Sequence, residues 1–266
     1  MITMGKRLSF STRSFGSDAY QHDPSLLPDW VAERRGREGD LTSFLLEQGI
    51  QPQIDAEVTY PCAGGTFYTG RWKEAIEGVE NGIMSSELGA RMGDIVRDAE
   101  DLDRIRKELF MAIPAPHMLG LHDRYYRDPE EAAESLFSVY RTLMRGQRDA
   151  GLNGHVIFGE TVNQAELEAL ARQKVIFFPF SLNRKSLSLL LEYQQIVAVK
   201  PSMLAGLSDL MGVYEVHRIV LIDAAEQDLR QALQIRDPDQ ILCGGYCRES
   251  CREYWKNLVK KAEILK

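Results

Sequence analysis

The sequence predicts an α/β protein, a single (β/α)8 TIM barrel, and three observations predict it. Short apolar runs alternate with amphipathic stretches along the whole chain, several of the runs lack any polar interruption, and there are eight of them. Uninterrupted runs such as Val175–Phe178, Ile196–Val199 and Ile219–Ile222 are what parallel strands covered on both faces require. Alternating strands and helices fit a barrel or a doubly wound open sheet, and the count of eight selects the barrel. A chain of 266 residues, 44% hydrophobic and 27% charged, has the size and balance of one such globular unit.

In chain order the strands are expected at Leu8–Thr12, Gln53–Glu57, Leu109–Pro114, His155–Glu160, Val175–Phe180, Ile196–Lys200, Arg218–Asp223 and Gln240–Gly244. A helix over Leu41–Gly49 precedes the second strand. Asp128–Gly151 is the clearest helix: Asp128 and Pro129 open it, and Glu130 and Glu131 fill its first turn. Leu136, Val139, Tyr140 and Leu143 share one face, and Gly151 closes it. Gln164–Arg172, Ser186–Tyr193, Glu226–Gln234 and Cys251–Leu265 repeat the pattern. Residues 58–108 are too long for a plain crossover. They are read as an excursion carrying a hairpin, then a helix over the acidic run Asp94–Asp103, and serving as a lid or a dimer contact. No Pro/Ser-rich linker interrupts the chain, so residues 1–266 are read as one domain.

A net charge of −7 with no sustained basic run argues against nucleic acid as a partner. No stretch approaches the roughly 18 apolar residues of a membrane span, and no apolar leader opens the chain, so a cytoplasmic protein acting on a small molecule is expected. Cys243, Cys247 and Cys251 cluster, with Cys62 apart; reduced thiols or a metal site suit this pattern better than a disulfide framework.

Barrel chemistry sits at the C-terminal ends of the strands. Cys62, His117, Glu160 and Cys247 follow the second, third, fourth and eighth expected strands. Two thiolates, an imidazole and a carboxylate can hold zinc, which would lower the pKa of a bound thiol, so Cys247, Cys62 and His117 are candidate metal ligands. The competing reading is a loop thiol, a hydrogen-bonded histidine and a small buried side chain. Glu160 is the first candidate catalytic carboxylate. Asp55 and Glu57, two apart on an expected strand, would point the same way and serve as acid and base, or pair with Arg13. Ser14, Arg13, His117 and Phe178 are expected to bind substrate, and Phe177, Phe178 and Phe180 to pack the barrel or line an apolar pocket. Gly64–Gly65 and Gly244–Gly245 read as turns, or as backbone that approaches a phosphate.

Several motifs in order resemble the catalytic barrel of cobalamin-independent methionine synthase, within the wider uroporphyrinogen decarboxylase-like group. They are the opening Ser11–Ser17, Ile54–Glu57, Ile113–Pro116, Asp123–Asp128, Val156–Glu160 and the tail Pro238–Cys247 with its closing helix. The resemblance implies a barrel that transfers a methyl or one-carbon group to a thiol from a pterin-linked or corrinoid-linked donor. A corrinoid protein or a second copy of the chain would then be the partner. In that family zinc is held by His-x-Cys after strand five, Glu after strand six and Cys after strand eight. Here strand five ends Phe177–Phe180 and strand six ends Lys200–Ser202, so only Cys247 falls on a family ligand position. The departure keeps two other readings open: a decarboxylase-like lyase that needs no metal, and a binding or regulatory barrel without catalysis.

Overall fold

The computed structural model describes residues 7–18, 24–34 and 38–265. Eight parallel strands run in it: β1 (Ser11–Ser17), β2 (Cys62–Gly64), β3 (Phe110–Pro114), β4 (Gly154–Gly159), β5 (Val175–Pro179), β6 (Ile196–Val199), β7 (Arg218–Ile222) and β8 (Ile241–Cys247). They pair as two four-stranded sheets, β6-β7-β8-β1 and β2-β3-β4-β5. Backbone bonds link the sheets on one side, from Ser14 N–H to Tyr60 O at 3.0 Å and from Tyr60 N–H to Thr12 O at 2.9 Å. On the other side Gln194, just ahead of β6, bonds the backbone of β5 through its side chain. The strands therefore follow one another around a (β/α)8 barrel.

Each strand is followed by a helix: α1 (Leu41–Asp55), α2 (Gly93–Ile105), α3 (Pro129–Asp149), α4 (Gln164–Leu170), α5 (Arg184–Leu191), α6 (Leu204–Leu210), α7 (Glu226–Ala232) and α8 (Cys251–Lys261). Asp40, Asp128, Asn163 and Asn183 cap α1, α3, α4 and α5 by accepting backbone N–H bonds, which satisfies donors that a helix start leaves open. Alternate strand residues face inward and outward. Phe15, Val156, Phe158, Phe178, Val220 and Tyr246 fill the barrel, while Ile113, Ile157, Phe177, Val199 and Leu221 pack against the helices. Among the described residues no helix is long and apolar enough to cross a membrane.

Six of the eight strands lie where expected, with small shifts at their ends. Residues 53–57 are not a strand: α1 continues through Pro52 to Asp55, and Glu57 turns the chain at φ 60°. The second strand is Cys62–Gly64, inside the stretch read as the excursion. It has little strand propensity of its own. Gln53 secures it from α1, accepting Cys62 N–H and donating to Cys62 O, both at 2.9 Å. The first strand begins at Ser11, because Arg7–Ser9 pairs instead with Glu263–Leu265, antiparallel; the last helix accordingly stops at Lys261. The final strand runs past Gly244–Gly245 to Cys247. Within residues 58–108, Ile76–Glu80 and Ile83–Ala90 form the expected hairpin, and α2 covers the acidic run.

Candidate functional site at the barrel mouth

A cavity of about 390 Å³ opens at the C-terminal ends of β5 to β8. Its floor is aromatic. Phe178 stacks on Phe15 with ring centres 4.4 Å apart and lies 6.2 Å from Tyr246, which meets the edge of Phe180 at 5.2 Å. Lys200, Asp223 and Arg248, which follow β6, β7 and β8, stand exposed at its rim. The Arg248 guanidinium lies 5.5 Å from the Phe180 ring centre, a cation–π distance. Asp223 accepts a 2.5 Å bond from the Tyr254 hydroxyl and sits at φ 52°, a conformation uncommon outside glycine.

Tyr246 is held from beneath. Its hydroxyl donates to Asp18 at 2.5 Å and accepts from Thr66 N–H at 3.0 Å, and the Thr66 hydroxyl also donates to Asp18. Burial first, and then the Asp18 carboxylate, push the Tyr246 phenol far up, so it stays a neutral donor. Asp18 and Arg248 also line a second cavity of about 440 Å³ that reaches Cys251. Cations above an aromatic floor suit a ligand with a flat apolar part and anionic groups.

Beside the mouth, His117 occupies the short turn Pro116–Leu119 after β3. Its Nδ1 lies 2.9 Å from Glu166 Oε2, and its backbone N–H donates to Glu166 Oε1 at 2.7 Å. The Glu166 bond raises the His117 pKa, burial opposes this, and Glu160 adds a smaller upward pull. The ring stands against the end of β4, where a Cβ at Gly159 would meet His117 Cε1 at 2.8 Å.

The structure brings only some of the expected residues together. Phe178 and Phe180 line the mouth, whereas Phe177 faces the helices. Glu160 is exposed after β4, near His117. Asp55 and Glu57 lie at the end of α1, ahead of β2, and Asp55 accepts an exposed bond from Gln51; without a strand beneath them, the reason for placing them at the mouth is gone. Arg13 is sandwiched inside the barrel between Tyr60 and Phe110, at 4.9 and 4.7 Å. Tyr60 precedes β2 and Phe110 begins β3, so this is the end opposite the mouth. Burial lowers the Arg13 pKa to about 10. Ser14 is fully buried and accepts Gly16 N–H at 3.1 Å.

The candidate metal ligands do not converge. Cys62 lies in the barrel interior, where burial pushes its thiol up, while Cys247 packs with Trp255 and Leu258 of α8. His117 is bound to Glu166. Among the described residues no three of His, Cys, Asp and Glu stand together in a way that could hold a metal ion, so the residues present do not fit the zinc of the resembling family. The glycine pairs are explained by packing: a Cβ on Gly65 would lie 2.0 Å from Ser17 O, and one on Gly244 would lie 2.3 Å from Val220.

Lys200, Asp223, Tyr246, Arg248, Asp18 and Glu166 were not singled out from the sequence as site residues. Lys200 and Asp223 end two of the expected strands, a position that could have found them. Tyr246 and Arg248 lie beyond Gly244, where the expected last strand stops, whereas the observed strand runs on to Cys247. Glu166 had no local signal, since its partner lies 49 positions earlier.

The fold and its mouth define a (β/α)8 barrel with an aromatic, cation-rimmed cavity at the C-terminal ends of its strands. No protein-family profile matches the sequence, and no curated protein matches it. Among solved structures, a B12-independent methionine synthase from Shewanella sp. W3-18-1, determined in complex with selenomethionine, is similar with a TM-score of 0.65. The likeness covers 96% of each chain at 14% sequence identity, and it is a likeness of fold.

Proposed function

We propose that this chain is a one-carbon or methyl-transfer enzyme whose mouth binds a flat, carboxylate-bearing donor of the pterin-linked class. The observation that carries the reading is the pair Lys200 and Arg248 above the floor of Phe178, Phe180 and Tyr246. The aromatic rings offer a stacking surface, the cations match carboxylates, and Asp223 offers an acceptor for ring N–H groups. The adjoining cavity that shares Arg248 gives room for an acceptor beside the donor. The fold likeness to a methionine synthase supports the same reaction class. Activation of a thiol on zinc forms no part of the proposal, because the candidate ligands do not converge.

A second reading, a lyase acting on a polycarboxylate, draws on the same two cations. Thermal shift separates the readings, because a ligand at 100 times its dissociation constant stabilises the folded state by about 2.7 kcal/mol. Reduced folates should raise the melting temperature, and K200A/R248A should abolish the rise. A response to tetrapyrrole carboxylates alone would favour the lyase. Silence toward both classes would leave a binding barrel and sink the proposal.

A further inference from the structure

At the other end of the barrel a cavity of about 570 Å³ lies between α3, the end of α4 and the start of β5. Arg141, Arg145 and Arg148, spaced four and three along α3, line it together with Arg172 and Lys174, and no acidic residue does. Five cations thus share one cleft in a chain of net charge −7. Their present partners are weak or absent. Arg141 meets Glu134 at 2.7 Å and Arg145 meets Asp149 at 3.7 Å, both at the exposed surface, where such pairs contribute little. Arg172 donates to Ala171 O at 2.7 Å and Glu168 O at 3.2 Å, covering the end of α4. Among the described residues Arg148 and Lys174 have no carboxylate within ion-pair distance.

Lys174 also holds a left-handed backbone at φ 69°, where asparagine or glycine is at ease and lysine is not. Its carbonyl accepts His155 N–H at 2.9 Å, so the ladder between β4 and β5 fixes where the side chain starts. Behind the cations the wall is apolar, from Met144, Leu152, Leu170 and Val175. Like charges gathered this closely repel one another, and a bound anion removes the repulsion. Arginine forks match phosphate oxygens in pairs, and the volume falls within the range of small-ligand pockets.

We infer that this cleft, remote from the mouth, is a binding site for a compact phosphate ester with at least two phosphates, of the nucleoside diphosphate class. The acidic remainder of the protein disfavours a long polyanion, whose charges would run beyond the cleft. The site is independent of the reaction proposed for the mouth.

Calorimetric titration of the intact protein with pyrophosphate, ADP and sulfate at matched ionic strength tests the inference. Pyrophosphate and ADP should each bind one site per chain, roughly tenfold or more tighter than sulfate, and should weaken as salt rises. R148Q/K174N should lose that preference while keeping its circular dichroism spectrum, since asparagine tolerates the backbone at position 174. R145Q, at a side chain that is 79% exposed, provides a second variant that should keep the fold and weaken binding less. The mouth variant R248A should bind ADP as the parent does. Equal affinity for sulfate, unchanged binding in R148Q/K174N, loss in R248A instead, or an RNA oligomer that outcompetes ADP would each overturn the inference.

Discussion

The side-chain amide of Gln194 bonds both backbone groups of Phe177, accepting its N–H at 2.8 Å and donating to its carbonyl at 3.2 Å. The same nitrogen donates to Ile196 O at 2.9 Å, so one side chain spans the seam between β5 and β6. Gln53 does the same for Cys62 of β2. Two glutamines thus replace stretches of backbone ladder where two strands lack a full neighbour. Leucine at either position keeps the volume and strands buried polar groups, each costing roughly 1–3 kcal/mol. Q194L should therefore lower unfolding stability by about 2–4 kcal/mol, read as a lower urea midpoint at unchanged slope. A change under about 0.5 kcal/mol, the scale of an ordinary surface substitution, would refute the role.

A buried chain of polar groups links α2 to β4. Tyr68 donates to Asp98 at 3.0 Å, Gln147 donates to Tyr68 at 3.2 Å, and His155 Nε2 meets Gln147 Oε1 at 3.0 Å. Burial lowers the His155 pKa to about 3 and raises that of Asp98 to about 6. The signs oppose. Between about pH 3 and 6.5 the unfolded chain protonates His155 and the folded one does not, so its contribution falls on acidification, by up to about 1.4 kcal/mol per pH unit. Asp98 is protonated more readily when folded, so its contribution is full below about pH 4 and declines as pH rises toward 6. Relative to the parent, H155Q should gain stability between pH 6 and 4, and D98N should lose it. Urea midpoints at pH 7, 5.5 and 4 provide the measurement, and parallel profiles for all three proteins would count against the assignment.

The Glu166 carboxylate holds His117 in place and favours its charged form. A histidine raised above its unfolded value stabilises the fold at pH below about 6.5, and loses that contribution as pH climbs through its folded pKa. E166Q should bring the His117 titration downward, observed as its ring proton resonance in NMR, and should reduce stability more at pH 6 than at pH 9. E160Q should move the resonance in the same direction by less. An unshifted His117 in E166Q would remove Glu166 as the cause.

Most of the scaffold was legible in the chain, because it depends on local pattern. Uninterrupted apolar runs such as Val175–Phe178 mark doubly covered strands, and caps such as Asp128 mark helix starts, whatever lies far away in sequence. Phe178, His117 and Glu160 could be placed near the mouth for the same reason: Phe178 lies within a strand whose pattern is strong, and His117 and Glu160 follow two others. The second strand was missed because Cys62–Gly64 is only three residues long and exists by virtue of its neighbours, through Gln53 and the β3 ladder.

The sequence alone thus determined the alternation of strands and helices and which faces are apolar. Tertiary closure decided the rest. It put Lys200, Asp223 and Arg248 around one aromatic floor, joined His117 to Glu166, kept Cys62 apart from Cys247, and set Arg13 at the opposite end. Period and propensity act over a few residues, whereas a barrel rim is assembled from strand ends separated by tens of positions. The identity of those neighbours follows only from strand order, register and the direction each side chain takes.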